Sequence, residues 1–475
     1  MVKSNKRIAR HIGGSKGNLL TENLKSTNLE KIMIVPLEIG KSYHKALIAD
    51  YFGSLFKDPF EFHSSQEGIT FLHNTISRVS REHHLETTFI GLEATGHYYQ
   101  KPAACLYELG YKNLFVLNPL STAQCRKAGL TWAKSDDIDL RAVGQALLSG
   151  YGTIYRPEKP LWENLRQICR YRRFQVRHQT ALKNKTHVML DHLLPGIAEL
   201  KMFKNPYLFH LASLEFFTKY PCLDRIARLK PRYLVEFFRR RGRRLSPEDA
   251  HQIIRWTRQT FNQQSPANST REEILKSLLL ELKLLSENIS RLEVKLLGYL
   301  VRLPAVLLLS INYIGPVRAG EFAGEITPFE QYPNSRALIK GAGLDATRFQ
   351  TSTYEAPNHP ISRKGSRNLR YISVDIGDAL MRHNDYFAFF ANQLMERGKS
   401  KDCACIAATT RFMRVAFWMI KDKKPFQSPK GEGVSKDPLA KIETFLTQHQ
   451  ASDLIEEYIS SAKKYFHQPQ PKEDH

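Results

Sequence analysis

The stretch Lys134-Ser-Asp-Asp-Ile-Asp-Leu-Arg-Ala-Val-Gly-Gln-Ala-Leu147 has the pattern of an acid-rich helix start. Ser135 can accept a hydrogen bond from a free amide of the first turn, and acids there suit the positive end of the helix dipole. Asp136 and Asp139 share one helix face, whereas Asp137 points about 100° away from Asp136. Two carboxylates on one face repel each other unless a cation such as Mg²⁺ or Mn²⁺ lies between them. For this stretch alone, a solvated helix start is the alternative.

Two apolar runs upstream each contain a single acid. Glu38 lies inside the run 31–40, and Glu93 lies near the end of the run 87–97, just before a glycine turn. Short apolar runs ended by glycine predict buried strands, and an acid in a buried strand is rare unless it is paired or binds metal. We therefore expect Glu38 and Glu93 to face Asp136 and Asp139, and the four acids to hold Mg²⁺ or Mn²⁺.

The order of elements in residues 31–157 predicts the fold of this part of the chain. Strands are expected at 31–40, 45–53, 61–64, 87–97 and 114–119, and helices at 67–83, 103–109 and from 135 onward. This is the ribonuclease H-like succession, in which helices flank a mixed sheet. We expect residues 31–157 to form an α/β catalytic domain of this kind.

Length and charge define the broad class of the protein. A chain of 475 residues should contain more than one domain. Seventy Lys and Arg residues against 47 Asp and Glu residues give a net charge of +23, which favours a polyanionic partner. Nucleic acid is the first candidate, and an acidic lipid surface is weaker because no basic amphipathic helix adjoins an apolar anchor.

Cysteine spacing and hydropathy predict the cellular compartment. The six cysteines lack the spacing of a zinc site and are expected to be reduced thiols of a cytoplasmic protein. The longest apolar run, 303–309, is too short to cross a bilayer, and the first thirty residues lack the apolar segment of a signal peptide. We expect no membrane partner.

Three basic segments are candidates for contact with nucleic acid. Residues 1–30 form a basic arm that we expect to be flexible. A long helix is expected at 161–190, and four of its arginines fall at steps of four, three and four residues: Arg166, Arg170, Arg173 and Arg177. The densest charged run contains Arg239, Arg240, Arg241, Arg243 and Arg244. Such stripes track phosphates or, as the bland alternative, form a solvated face.

A heptad repeat runs through residues 275–303. Its apolar positions are Leu275, Leu278, Leu282, Leu285, Ile289, Leu292, Leu296, Tyr299 and Leu303. This spacing is typical of a coiled coil, and a seam that pairs two subunits is slightly favoured. A long helix packed inside one subunit, against 161–190, is the alternative. We expect a helical linker and coiled coil at 158–303, a mainly helical domain at 304–426 and a polar tail at 427–475 with one short helix near 438–447.

Several blocks in order resemble the DEDD-type insertion-sequence transposases, the insertion-sequence one-ten group, which includes the Piv-type DNA invertases. The resemblance covers about 31–426. The blocks are Glu38-Ile-Gly-Lys-Ser-Tyr-His44, Glu93-Ala-Thr-Gly-His-Tyr98, Asn118-Pro119, Lys134-Ser-Asp136 with Asp139, Tyr220-Pro221, Ile311-Asn-Tyr-Ile-Gly315, Gly341-Ala-Gly-Leu344, Thr351-Ser352, Ile361-Ser-Arg-Lys-Gly365 and Asn368-Leu-Arg370.

The resemblance implies a fold, a set of catalytic residues and partners. It implies a RuvC-like ribonuclease H fold whose metal-binding acids are Glu38, Glu93, Asp136 and Asp139, and a C-terminal transposase domain with a serine nucleophile. Ser352 is the favoured nucleophile and Thr351 is the alternate. It further implies an oligomer (dimer or tetramer) and a structured guide RNA. In the C-terminal blocks, Lys364, Arg367 and Arg370 are added to the candidates for nucleic-acid contact.

This chain departs from the family pattern at three places. Glu38 stands where the family has aspartate, and the extra methylene moves the carboxylate by about 1 Å, a misplacement that can cost about 100-fold in rate. The family's Ser-Gly near a glutamine is Gln350-Thr-Ser-Thr353 here, and the hairpin 311–315 has one glycine fewer.

Three functional hypotheses follow. The first is a DNA transposase or recombinase that cuts and rejoins strands. The second is a transposase-derived nucleic-acid-binding protein without catalysis, which the changes at Glu38 and in the serine block favour. The third is a junction-specific nuclease that uses the acids without the serine.

Overall fold

The computed structural model describes residues 28–94, 96–128, 136–261, 265–347 and 360–466. Most of the predicted basic arm, residues 1–27, lies outside these ranges. The chain divides into two compact units, Met1–Pro157 and Glu158–His475. The boundary lies at the end of the domain that the sequence predicts to be catalytic.

The first unit is a six-stranded mixed sheet with helices on both faces. Its strands are β1 (Ile32–Ile39), β2 (Tyr43–Asp50), β3 (Leu55–His63), β4 (Thr87–Glu93), β5 (Leu114–Leu117) and β6 (Thr153–Ile154), in the spatial order β3-β2-β1-β4-β5-β6. Strands β1, β4 and β5 are parallel, and the other neighbours are antiparallel. The helices are α1 (Gln66–Glu82), α2 (Gln100–Glu108), α3 (Pro119–Ala128) and α4 (Asp136–Leu148).

The two faces of β1 pack against different helices. Met33, Val35 and Leu37 share a core with residues of α1 and α2. Ile32 and Ile34 instead pack with Val143, Ala146 and Leu147 of α4. Because both faces are covered, β1 reads as a continuous apolar run and not as an alternating one.

The sequence predicts a mixed sheet flanked by helices, and this prediction is confirmed, but it misses the short strand β6 and helix α3. Asn118 begins that helix, since its side-chain oxygen accepts a hydrogen bond of 2.9 Å from the backbone N–H of Leu120. Pro119 is the first helical residue, the position in which proline is preorganised and loses no hydrogen bond. Asn118-Pro119 is therefore the helix-start signal that the sequence contains at this point.

The second unit is mostly helical. Its α-helices are α5 (Pro160–Leu193), α6 (Leu211–Lys219), α7 (Leu223–Ala227), α8 (Pro231–Arg239), α9 (Pro247–Gln259), α10 (Asn268–Leu300), α11 (Pro316–Glu325), α12 (Ser335–Gly341), α13 (Arg367–His383), α14 (Asp385–Glu396), α15 (Lys401–Asp422), α16 (Ala440–Gln448) and α17 (Ile455–Phe466). A 3₁₀ helix, Pro304–Ser310, precedes α11.

Helices α5 and α10 form a long antiparallel pair that joins two separate cores. Arg172 of α5 meets Glu293 of α10, and Gln179 meets Ser286, so the two helices run in opposite directions. The core at one end combines the first turns of α5 and the last turns of α10 with α11 to α17. The core at the other end combines their remaining halves with α6 to α9.

The heptad seam of α10 lies inside the single chain. Leu275, Leu282, Leu285 and Ile289 are buried in the second core, and Leu296 is buried in the first. The alternative of a helix packed within one subunit against 161–190 therefore describes this seam. Because the chain itself covers this seam, the heptad spacing does not require a second subunit.

The short helix that the sequence predicts near 438–447 is present as α16, but the rest of residues 427–466 is not the predicted polar tail. Ile442 and Leu446 of α16, together with Tyr458 and Ala462 of α17, are buried in the core that contains α11 to α15. Exposed charged residues lie between these buried ones, so the segment is polar on average. The second amphipathic helix, α17, was for this reason not predicted.

Helix α15 is long and apolar enough to cross a membrane by length and composition alone. More than half of that apolar window is buried inside the structure, with Phe412, Met413 and Phe417 in the core. This burial is typical of the central helix of a packed helical unit.

Candidate active site

Glu38 and Glu93 lie side by side at the ends of two parallel strands. The ladder pairs Leu37 of β1 with Leu92 of β4, and each acid is the next residue along. Residues two apart share a face of a strand. Glu38 therefore points to the α4 side, as Ile34 does, and Glu93 points there with Phe89. The structure brings these two predicted acids together.

Helices α3 and α4 supply polar side chains on the same side of the sheet. The hydroxyl of Thr122 in α3 donates a hydrogen bond of 2.5 Å to a carboxylate oxygen of Glu93. Arg126, one turn further along α3, donates to the carboxylate of Asp139 in α4, and both side chains are about three-quarters buried or more. The side chain of Asp136 lies outside the described residues.

Lys45 of β2 is a further cation at this end of the sheet. It pairs with Glu38 in the antiparallel β1–β2 ladder, so both side chains point to the α4 face. Its ammonium lies 3.5 Å from Asp137 in α4 and 3.5 Å from Glu61 in β3. Asp137 thus points toward a lysine.

Thr122, Arg126 and Lys45 were not predicted from the sequence. The register of the β1–β2 hairpin would have identified Lys45, because it lies across from Glu38. Thr122 and Arg126 are four residues apart and share a face of α3, but this helix was not predicted.

The donor atoms of this cluster fit a divalent cation, but the described side chains do not assemble a complete metal site. Carboxylate oxygens are the ligands that Mg²⁺ and Mn²⁺ prefer. Among the described residues, no three His, Cys, Asp or Glu side chains form a group that could hold an ion. Asp139 is in contact with Arg126 instead. The predicted acids that could hold such an ion are Glu38, Glu93 and Asp139, together with Asp136.

Ser352 and Thr351 fall within 348–359, outside the described residues, but both flanks of this segment are described. Thr347 and Pro360 are joined by a backbone hydrogen bond of 2.9 Å, and the backbone N–H of Ser362 donates to the backbone oxygen of Asp345 over 2.8 Å. The two ends of the serine segment are therefore held next to each other, as at the base of a hairpin.

The flanking glycines allow two backbones to meet closely. A Cβ atom at Gly365 would lie 2.3 Å from the backbone oxygen of Gly341 and 2.4 Å from the backbone nitrogen of Gly343. Gly343 itself has a φ of +66°, in the left-handed region. These glycines belong to two of the blocks that flank the serine segment in the sequence.

The turn 311–315 before α11 is held by residues from distant parts of the chain. The ammonium of Lys441 donates hydrogen bonds to the backbone oxygens of Leu309 (2.7 Å), Ile311 (2.8 Å) and Ile314 (3.0 Å). Burial lowers the pKa of Lys441 to about 8. The side-chain amide of Asn384 donates to the Asn312 oxygen over 3.1 Å. The turn therefore presents a fixed tip to solvent.

Three of the four arginines in the predicted α5 stripe face acids of the same chain. Arg170 makes two hydrogen bonds, 2.8 and 2.9 Å, with Glu325 of α11, and Arg173 lies 2.8 Å from Glu321 of the same helix. Arg166 pairs with Glu158. Arg177 is exposed, and no partner contacts its guanidinium among the described residues. The spacing of the stripe was right, but it did not identify what the stripe faces.

The run 239–244 is also divided between internal contacts and free side chains. Arg239 and Arg240 share one carboxylate, that of Glu236, at 2.6 and 2.7 Å. Arg241 pairs with Glu215, and Arg243 donates to Ser213 over 2.7 Å, while burial lowers the pKa of Arg243. Arg244 is exposed, and the described residues offer its guanidinium no partner.

The C-terminal basic residues show the same division. Arg370 donates to the backbone oxygens of Ala342 (3.0 Å) and Arg363 (3.4 Å), so it fastens the base of the serine segment. Lys364 and Arg367 are exposed to solvent. Among the predicted basic residues, the exposed ones without a described partner are Arg177, Arg244, Lys364 and Arg367.

Comparison with known protein families agrees with this arrangement. Residues 35–195 match a DEDD-type family described as Transposase. Residues 305–391 match a family described as Transposase IS116/IS110/IS902 family. Both matches are to transposases, and together they span about half of the chain. The chain belongs to the IS110 family of transposases, which is a family of insertion-sequence proteins of DNA transposition, recombination and DNA binding. A search of curated proteins finds no match.

Proposed function

We propose that this transposase cuts and rejoins the DNA strands of a bacterial insertion sequence with a metal-bound acid cluster and a C-terminal hydroxyl nucleophile. The observation that carries the proposal is the register of β1 and β4, which brings Glu38 and Glu93 together on the α4 face. Glu93, Asp136 and Asp139 act as three of the family's acids, and Glu38 takes the place of its first aspartate.

The acids would bind a divalent metal ion and fix its position, and the bound ion would supply positive charge. A divalent metal, Mg²⁺ or Mn²⁺, would stabilise the negative charge that develops on the phosphate oxygens during strand cleavage. Thr122 fixes the carboxylate of Glu93 in place. Lys45 offsets part of the negative charge of the cluster, since it lies between Asp137 and Glu61 and opposite Glu38.

The nucleophile is the hydroxyl of Ser352, with Thr351 as the alternate. Ser352 attacks the scissile phosphorus, and its proton passes to a neighbouring base while the DNA 3′ or 5′ oxygen leaves. The close pairing of Thr347 with Pro360 supports this role, because a short, anchored segment holds a nucleophile with less loss of entropy than a free loop. The acid cluster that activates it belongs to the same chain or to a second subunit.

The finer fold and the partners belong to the same proposal. The strand order β3-β2-β1-β4-β5, with β1, β4 and β5 parallel, supports a RuvC-like ribonuclease H domain. The net charge of +23 supports DNA and a structured guide RNA as partners. The protein acts as a homo-oligomer, a dimer or tetramer, in the cytoplasm and without a membrane partner.

A strand-transfer assay tests the proposal. Purified protein is incubated with Mg²⁺, a plasmid that carries the DNA flanking the gene, and RNA transcribed from those flanks. Wild type should join strands, and both Ser352→Ala and Asp136→Ala should lose this activity. Asp137→Ala is the matched control, since Asp137 is the neighbouring acid of the same helix and contacts Lys45. Strand cleavage is followed in the same reactions, and cleavage without joining that is lost in Asp136→Ala alone would identify a junction nuclease.

One contact favours the second candidate, a nucleic-acid-binding protein without catalysis. Arg126 neutralises Asp139, and Glu38 is a departure from the family pattern within the same cluster. This candidate predicts that wild type binds DNA but neither cuts nor joins it at any Mg²⁺ or Mn²⁺ concentration.

A further inference from the structure

The outer face of α5 has a row of exposed rings. Tyr171, Phe174 and His178 follow one another at steps of three and four residues, so they lie on one face of the helix. The rings of Tyr171 and Phe174 are nearly parallel, 19° apart, with centroids separated by 6.3 Å. The centroids of Phe174 and His178 are 6.5 Å apart. Tyr171 is 49% exposed and Phe174 is 61% exposed.

This row is not part of either core. The opposite sides of α5 pack against α10 and α11, where Arg172 meets Glu293 and Arg173 meets Glu321. Large apolar side chains exposed side by side usually mark a binding surface. A partner with flat, apolar faces would cover these rings.

The charge around the row indicates the chemistry of that partner. Between Glu163 and Asp191, α5 has no acidic residue. Lys185 is exposed on this face, and Arg177 is exposed at its edge, one turn from Phe174. Arg170, which flanks the row, keeps about half of its side chain exposed although it is paired with Glu325. Aromatic rings interleaved with cations suit a strand of nucleic acid, in which bases stack and phosphates carry the negative charge.

We infer that Tyr171, Phe174 and His178 stack against unpaired bases of a nucleic-acid strand, while Arg177 and Lys185 contact its phosphates. Stacked nucleotides advance about 3.4 Å each along a strand, so two steps cover about 6.8 Å. This is close to the 6.3 and 6.5 Å between the centroids of successive rings. A duplex offers no such match, because its base faces are already covered by neighbouring bases. The surface does not depend on the acid cluster or on Ser352.

Two sources supply unpaired nucleotides of this kind, a DNA strand and an RNA strand, and the test treats them separately. Labelled single strands of deoxythymidine and of uridine, twelve nucleotides long, and a DNA duplex of equal length are titrated with full-length protein by fluorescence anisotropy. Wild type should bind at least one of the single strands. Tighter binding of the DNA or of the RNA strand identifies the source, and either supports the inference.

The variants separate stacking from other causes of binding. Phe174→Ala should lower single-strand affinity about tenfold, and Tyr171→Ala with Phe174→Ala about a hundredfold, from the usual contribution of one stacked base. Phe174→Leu, which keeps apolar bulk without a ring, should weaken binding nearly as much as Phe174→Ala, whereas Phe174→Trp should retain affinity. Phe389→Ala, which removes another exposed phenylalanine of this unit, is the matched control and should change nothing.

Several results would overturn the inference. Wild type that binds neither single strand would do so, as would equal losses of affinity for duplex and single strands in Phe174→Ala. Full affinity in Phe174→Leu would mean that the surface needs bulk and not a ring. A change of oligomeric state in the double variant, measured by light scattering, with unchanged single-strand affinity would assign the row to a second copy of the chain. Circular dichroism of each variant shows that it is folded.

Discussion

The guanidinium of Arg126 lies against the carboxylate of Asp139, one of the four acids that the sequence assigns to a metal site. Both side chains are largely buried, so the pair is screened less by solvent than a surface pair would be. A guanidinium and a divalent cation cannot both occupy the same face of that carboxylate. In the proposed metal site, Arg126 would therefore compete with the ion for Asp139.

Replacing Arg126 by Gln should tighten Mn²⁺ binding about tenfold, because the ion no longer displaces a charge-assisted hydrogen bond. Free Mn²⁺ measured by electron paramagnetic resonance gives the affinity without any need for activity. Arg141→Gln removes an exposed arginine from α4 and serves as the control. Unchanged or weaker Mn²⁺ binding in Arg126→Gln would mean that Arg126 supports the site and does not compete for it.

The exposed basic side chains should contribute to DNA binding. Changing Arg177, Arg244, Lys364 and Arg367 to Gln should reduce the slope of log affinity against log salt by about 0.9 for each phosphate of duplex DNA that is no longer neutralised. The measurement is a salt titration of duplex binding. A slope equal to that of wild type would show that these four side chains are merely solvated.

Arg173 should matter for folding more than for DNA. Its partner, Glu321, is 7% exposed and is also paired with Arg172, so Arg173→Gln removes one of its two charged partners and should lower the free energy of unfolding by about 2 kcal/mol. Arg177→Gln, one turn further along the same helix, should be nearly neutral in the same urea titration. Equal stability of both variants would contradict the pairing of Arg173 with Glu321.

Gly365 should not tolerate a side chain. A Cβ atom there would lie within 2.4 Å of backbone atoms of both Gly341 and Gly343, and neither backbone can move without disturbing the base of the serine segment. Gly365→Ala should cost about 1–3 kcal/mol of unfolding free energy. Gly315→Ala is the control, since a Cβ at Gly315 meets no atom within 4 Å. Similar stability losses in both variants would exclude the close approach as the cause.

Lys441 should make stability depend on pH. Its ordinary pKa of 10.5 falls to about 8 in the folded state, so the folded protein binds fewer protons than the unfolded chain between these values. Stability should therefore rise with pH across this window relative to Lys441→Met. At neutral pH the variant should still be the less stable one, because three backbone oxygens lose their donor.

The pH dependence is measured by urea unfolding at pH 7, 8, 9 and 10. Lys436→Met, an exposed lysine nearby, is the control and should follow wild type at every pH. A difference between wild type and Lys441→Met that shrinks as the pH rises would contradict a lowered pKa.

Much of the sheet could be predicted because both of its faces are covered. Burial on two sides makes β1 and β4 short apolar runs in which Glu38 and Glu93 stand out. The pairing of strands was not visible in the sequence, since register depends on contacts between residues far apart. Lys45 was missed for this reason, although it lies across from Glu38.

Periodicity revealed faces but not their partners. The arginines of α5 were recognised as a stripe, yet what they meet depends on Glu321 and Glu325, about 150 residues further along the chain. Those two acids are four residues apart and so share a face of α11. This spacing matches that of the arginines of α5, and it was visible in the sequence. The leucines of α10 were likewise placed on one seam, and only the fold shows that α5 covers it.

The antiparallel pair of α5 and α10 connects the two cores of the second unit rigidly. At 1.5 Å per residue, the 34 residues of α5 extend about 51 Å, and each end is embedded in a different core. Because both helices are packed into a core at each end, the pair resists bending and twisting, which a single flexible linker would not do. A displacement of the α6 to α9 core, for example when nucleic acid binds there, should therefore also displace the core that holds both ends of the serine segment.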